Sequence, residues 1–352
     1  MPNRALVLSG GGSKGAFELG VVDYLVNDRG LDFEVIAGVS TGSLNAVVLA
    51  QGAGASGIRT EVAALKDLWF GIRSNDDIYT SRFLGKILAF ISKNSMFSSD
   101  PLRRKLQESV SPSKLAASGK DLRIGAVVLE SGDYVTADQR NSSILAWALG
   151  SSSMPLFFPP VSVDGVTAVD GGVRNITPLK DAFEALKARA ARAAGPKGGR
   201  AVADPDTDEM YVVLASPLGV PQAAGPWKTG IDVAKRAVGI LTNEIFRADL
   251  ERAFSVNQAV MFYESIQAKL AAALGEAEAR KVLDSLPFPY RPPDYRYVRL
   301  RTILPDREYS ETLTFDPKLI REAFEGGREA GRHALDETQF VARLGGSTVR
   351  AA

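Results

Sequence analysis

The chain has 352 residues, 45% of them apolar and 24% charged, with a formal net charge of +1. That balance suits a soluble globule with a sizeable core and shows no global bias towards nucleic acid. There is no cysteine and a single histidine, His333, which excludes disulfides, cysteine nucleophiles, thiolate metal sites and a zinc site of the usual nitrogen and sulfur kind.

No run reaches the roughly 18 uninterrupted apolar residues of a membrane span. The N-terminus reads as a first strand, not a secretory leader, so a cytoplasmic location is the expectation. Residues 5–9 are a short apolar run stopped by Gly10-Gly11-Gly12, which predicts a buried strand. Residues 15–27 follow with helical spacing, Phe17, Val21, Tyr24 and Leu25 sharing one face. Residues 33–37 predict a second strand ended by Gly38, and 43–51 a helix of small residues. Two strand–glycine turn–helix units in succession predict an α/β fold with a mostly parallel sheet.

Residues 52–120 are mostly helical in pattern and less regular. Within them, 82–93 mixes Phe83, Leu84, Ile87 and Ile91 with Arg82, Lys86 and Lys93; such a stretch packs on a sheet or serves as a lid or bilayer contact. Residues 122–129 predict a strand, 134–136 its hairpin partner and 144–149 a short helix. Residues 161–163 and 166–169, joined by Asp164-Gly165, predict a β-hairpin that ends at Asp170-Gly171-Gly172. Residues 187–209 turn Ala- and Arg-rich, then rich in Gly, Pro and Asp, as a helix tail and flexible loop do. Residues 211–215 predict a strand, 231–283 two long helical segments, 297–303 a last strand and 317–335 a last helix. There is no internal repeat and no domain boundary.

Ser40 lies in Gly38-Val39-Ser40-Thr41-Gly42, between a predicted strand and a helix. This is the nucleophile-elbow pattern, whose glycines permit a tight turn that holds the serine out at a strand end. The pentapeptide alone also fits an ordinary surface turn. The loop Gly10-Gly11-Gly12-Ser13-Lys14-Gly15 satisfies the dinucleotide fingerprint, but the acid expected at the end of the next strand is missing, since Asp32 and Glu34 sit at its beginning. The other reading is an oxyanion hole, in which backbone N–H groups of a glycine loop, Gly11 and Gly12 foremost, converge on one spot. Lys14 either adds positive charge there or is a surface lysine.

A serine hydrolase ordinarily needs a histidine base. His333 falls on the charged face of the last helix, among Glu322, Glu325, Glu329 and Arg332, and reads as solvent-facing. That directs attention to Asp170, at a strand end beside two glycines. It is a poor base at its ordinary pKa of about 3.9, and serves if held in a dry site next to a strong oxyanion hole.

These motifs, in this order, resemble the patatin-like phospholipase family: the glycine loop at Gly10 to Gly15, the elbow from Gly38 to Gly42 and the Asp170-Gly171-Gly172 motif. Ser151-Ser152-Ser153-Met154-Pro155, Phe158-Pro159-Pro160 and Asn175-Ile176-Thr177-Pro178-Leu179 are also similar to that family's segments around its aspartate. The resemblance implies a three-layer α/β/α sandwich and a Ser40–Asp170 dyad acting on lipid acyl esters as a phospholipase A or lysophospholipase. It implies an oxyanion loop of Gly10, Gly11, Gly12, Lys14 and Gly15, and neither metal nor organic cofactor. Residues 1–340 form one domain on this view, with a variable helical region at about 52–120, a flexible loop at about 190–209 and a tail at 341–352. Phe157, Phe158 and Trp147 are candidates for an acyl pocket. The partner implied is a phospholipid or other lipid ester, with peripheral membrane contact as a corollary and no nucleic acid; protein partners leave no readable mark. Two alternatives are a lipid-binding or regulatory protein without turnover and an oxidoreductase using the glycine loop.

Overall fold

The apolar runs form the strands of one eight-stranded sheet in a computed structural model that describes residues 3–81, 95–194, 208–219, 225, 227–285, 297–336, 338–340 and 342. Strand β1 (Arg4–Leu8) leads through the glycine loop into α1 (Gly15–Asp23), and β2 (Val35–Val39) turns at Ser40 into α2 (Thr41–Leu49). The irregular region then holds α3 (Gly54–Phe70), a small ladder of β3 (Thr80–Ser81) with β4 (Phe97–Ser98), α4 (Asp100–Ser109) and α5 (Pro112–Ala117). Next come β5 (Asp121–Val128), β6 (Tyr134–Ala137), α6 (Ile144–Ser151), the hairpin of β7 (Val161–Val163) and β8 (Val166–Asp170), and α7 (Leu179–Ala194). The chain continues through β9 (Glu209–Val213), α8 (Gly230–Leu274), α9 (Glu276–Ser285), β10 (Arg299–Ile303) and α10 (Pro317–Gly331).

The sheet order is β10-β9-β1-β2-β5-β8-β7, with β6 also paired to β5. The first five strands of that order are parallel, and β6, β7 and β8 run antiparallel to their neighbours. Successive strand residues face opposite layers. Leu6, Leu8, Ile36 and Val213 pack under α1, α2, α3 and α10, while Ala5, Val7, Val35 and Val212 pack under α7 and α8. The result is the expected α/β/α sandwich with a mostly parallel sheet.

The register around β5 brings distant residues together. Strand β2 pairs with β5 up to Val39 opposite Gly125. Strand β8 approaches from the other direction and ends with Asp170 opposite Ala126. Because β6 occupies the other edge of β5 along Ile124 to Val127, β2 and β8 share one edge and meet end to end. Ser40 and Asp170, 130 residues apart in sequence, are thereby neighbours.

Several expectations change. Helix α1 is buried on every side, not on one face, because α10 also covers it. A side chain at Gly20 would lie 2.0 Å from the Phe324 carbonyl oxygen, and one at Gly327 would lie 2.1 Å from that of Phe17. The two long segments expected at 231–283 are one helix of 45 residues and a shorter one of 10, separated by Gly275 at φ +82°. The stretch 82–93 and most of the 190–209 loop and 341–352 tail lie outside the described residues. Among the described residues no helix is long and apolar enough to cross a membrane.

Candidate active site

Ser40 adopts φ 55° and ψ −127°, a left-handed conformation that costs a non-glycine residue about 1–3 kcal/mol. The surroundings hold it there. A side chain at Gly38 would sit 2.2 Å from the Gly42 carbonyl oxygen, and one at Gly42 would sit 2.4 Å from that of Leu8, so both elbow positions require glycine. The Ser40 N–H donates to Ser151 Oγ at 3.0 Å, and Ser151 donates in turn to the Gly125 carbonyl at 2.6 Å. One hydroxyl thus ties the elbow to the β5 residue beside which β2 ends.

The Ser40 hydroxyl donates to Asp170 Oδ2 at 2.7 Å. The other carboxylate oxygen accepts the Gly172 N–H at 2.8 Å, and the Asp170 N–H donates to the Ser153 carbonyl at 3.0 Å. Gly171 is required beside it, since a side chain there would lie 2.5 Å from the Gly125 oxygen. Both residues are nearly enclosed, Ser40 at 7% and Asp170 at 4% exposure. Burial pushes the Asp170 carboxyl up to about 6, against the opposing pull of its bonds from Ser40 and Gly172. The environment thus raises a weak base towards neutrality.

In the glycine loop the N–H groups divide sharply. That of Gly10 donates to the Ile176 carbonyl, that of Ser13 to Thr312, that of Lys14 to Gly11, and that of Gly15 to Gly12 and Ser13. Among the described residues, the N–H groups of Gly11 and Gly12 have no such acceptor, and they precede a helix whose positive end favours anions. Gly12 is held at φ +60°, where a side chain would run into the Thr312 carbonyl. The Lys14 ammonium is engaged by Ser216 at 2.9 Å and by Glu308 at 2.7 Å, tying the loop to the C-terminal half of the chain. His333 lies just beyond α10 with its side chain 74% exposed, paired with Glu329 at 3.4 Å.

A family model described as patatin-like phospholipase matches residues 6–183. The chain belongs to this family. The crystal structure of VipD from Legionella pneumophila is similar over 94% of this patatin-like chain and 66% of its own, with 15% identity and a TM-score of 0.40. The type III effector protein ExoU is similar over 80% of this chain and 62% of its own, with 16% identity and a TM-score of 0.30. Full-length ExoU in complex with SpcU, from the type III secretion system of Pseudomonas aeruginosa, gives 97%, 73%, 14% and 0.29 in the same terms. This chain therefore spans just under two thirds of the first two relatives. Comparison with curated proteins gives no match.

Beside Ser40 opens an apolar cleft. Ser40, Leu44 and Val48 line it at intervals of four residues, so it follows one face of α2 for about 12 Å from Ser40. Leu65, Trp69, Met154 and Phe158 make it apolar, and Gly12 reaches its rim. Phe157 is buried elsewhere, and Trp147 donates to Asp164. Beneath the cleft, the buried Glu18 accepts from Asn45 at 3.0 Å, and Asn45 accepts from Trp69 at 2.9 Å. Burial holds the Glu18 carboxyl well above the ordinary range.

Two contributors went unread in the sequence. Ser151 stands in a family-like segment, but nothing local says that its hydroxyl supports the elbow. Glu18 reads as a polar residue of an amphipathic helix, because its partner Asn45 stands on the next helix, and no periodicity within α1 shows that contact.

Proposed function

We propose that this chain is a lipid acyl hydrolase of the phospholipase A or lysophospholipase type, working through a Ser40–Asp170 dyad. The observation that carries the proposal is the 2.7 Å bond from Ser40 Oγ to a buried carboxylate at the head of an apolar cleft. Ser40 Oγ attacks the ester carbonyl carbon and its proton passes to Asp170 Oδ2. The N–H groups of Gly11 and Gly12 stabilise the oxyanion, an effect worth about 3 kcal/mol per donor in comparable sites. Collapse breaks the carbonyl carbon to alkoxy oxygen bond, and Asp170 returns the proton to the departing alcohol. Water then attacks the acyl-enzyme, gives a proton to Asp170, and releases the fatty acid as Ser40 regains its hydrogen. The acyl chain lies along α2 in the cleft.

Residues 1–340 act as one domain on this proposal, because β9 and β10 lie in the same sheet as β1. The dinucleotide alternative gains no support, as the end of β2, where a ribose-binding acid belongs, carries Val39 and Ser40.

The test is hydrolysis of a short p-nitrophenyl ester and of a panel of phospholipids. Ser40→Ala and Asp170→Asn are each expected to lower kcat by at least roughly a thousandfold, and His333→Ala to leave it within about twofold. A large loss with His333→Ala, or full activity in Asp170→Asn, would refute the dyad.

A further inference from the structure

The loop that follows the aspartate motif touches three parts of the site. The Ile176 carbonyl accepts the Gly10 N–H at 3.1 Å. A side chain at Gly10 would lie 2.9 Å from Ile176 Cγ1 and 3.0 Å from Ser40 Cβ, and one at Gly172 would lie 3.4 Å from Ile176 Cδ1. Ile176, itself buried, fills the space where the glycine loop, the nucleophile and the aspartate loop converge.

What holds Ile176 comes from far along the chain. It belongs to no strand or helix, so no ladder fixes its backbone. Its N–H and that of Thr177 both donate to Asp249 Oδ2, at 3.1 and 3.2 Å. Bonds to a carboxylate are stronger than those between neutral groups. Asp249 stands on α8, between Phe246 and Leu250, whose buried side chains anchor that helix to the sheet. It lies outside the residues 6–183 that carry the family resemblance.

We propose that Asp249 is a positioning residue for the Ser40 reaction: by gripping Ile176 and Thr177 it sets the spacing between the glycine loop and the Asp170 loop. This rests on the dyad reading above. A shift of about 1 Å between nucleophile and oxyanion donors can cost roughly a hundredfold in rate, whereas the cleft along α2 is untouched by the grip. The loss therefore falls on kcat and spares KM.

The experiment uses the full chain with Asp249→Ala, Asp249→Asn and Asp249→Glu. It reads p-nitrophenyl ester kinetics, thermal melting and hydrogen exchange at the Gly10 amide, which is bonded to the Ile176 carbonyl. Asp249→Ala is expected to lower kcat by about 10- to 100-fold with KM within about twofold, and to speed exchange at Gly10. Asp249→Asn, whose amide oxygen accepts the same two bonds, restores most of kcat and the slow exchange. If Asp249→Ala does not fold, Asp249→Glu, which keeps the charge but lengthens the arm, is expected to lower kcat with KM unchanged. A folded Ala or Glu variant with wild-type kcat and exchange overturns the inference, as does a change confined to KM or an Asn variant no better than Ala. A wild-type chain without esterase activity, or a fully active Ser40→Ala variant, defeats the dyad instead; the exchange measurement still decides whether Asp249 holds the glycine loop.

Discussion

At the scale of single residues, the proposed dyad depends on a carboxylate that the fold makes more basic than it is in water. Asp170 must be unprotonated to accept from Ser40, and its carboxyl sits at about 6. The expected kcat/KM profile therefore rises through pH 6 and levels off above it, as initial rates in overlapping buffers will measure. The same shift has a stability cost of the opposite sense. The folded chain binds this proton more tightly than the unfolded chain, whose carboxyl titrates near 3.8. The stabilisation is complete below that value and is lost as pH rises through about 6, a penalty of about 3 kcal/mol at pH 8. Asp170→Asn removes that titration. It is expected to be inactive yet to melt higher than wild type at pH 8, with the advantage gone near pH 4; equal melting curves at both pH values would count against a dry Asp170. The candidacy of this residue was legible in the sequence because a single histidine on a charged helix face leaves so few bases. Its pKa was not, since desolvation comes from packing between β2, β5 and β8 and not from neighbours in the chain.

At the scale of elements, the turns were legible and the contacts between helices were not. The hairpin at Asp164-Gly165 forms with both residues at positive φ, 49° and 84°, as that dipeptide announces. The elbow glycines likewise stand where carbonyl oxygens leave no room for a side chain. By contrast, the burial of α1 depends on α10, and the support of Ile176 depends on α8, neither of which any local pattern reveals. Ser151 is the clearest case. Its hydroxyl accepts from Ser40 just beyond β2 and donates to Gly125 inside β5, so Ser151→Ala strands a buried N–H and a buried carbonyl. The expected cost is about 1–3 kcal/mol in chemical denaturation, with kcat reduced because Ser40 loses the bond that holds its left-handed turn. A variant with unchanged denaturation midpoint and kcat would show that the elbow supports itself.

At the scale of the whole molecule, the segment bearing the family motifs is only part of the folded sheet. β1 sits between β2 and β9, and β10 closes the far edge, yet both β9 and β10 come after residue 183. A fragment ending at residue 194 would expose the edge of β1 and the apolar layer of Val7, Val35 and Leu186, the kind of open edge that promotes aggregation. Such a fragment is expected in the insoluble fraction; a soluble monomer with cooperative melting would mean that the first half folds alone. The sheet order also carries a consequence for synthesis. Leu8 pairs with Val213, and at translation rates of 5–20 residues per second the first strand waits roughly ten to forty seconds for its neighbour. Ser40 and Asp170 both leave the ribosome in that interval, while Thr312, which closes over the glycine loop, is made later still. On the mechanism proposed above, a nascent chain holds its nucleophile and its base well before Thr312 closes over the loop that would stabilise an oxyanion, so hydrolysis of lipid esters is expected only once that residue has been made.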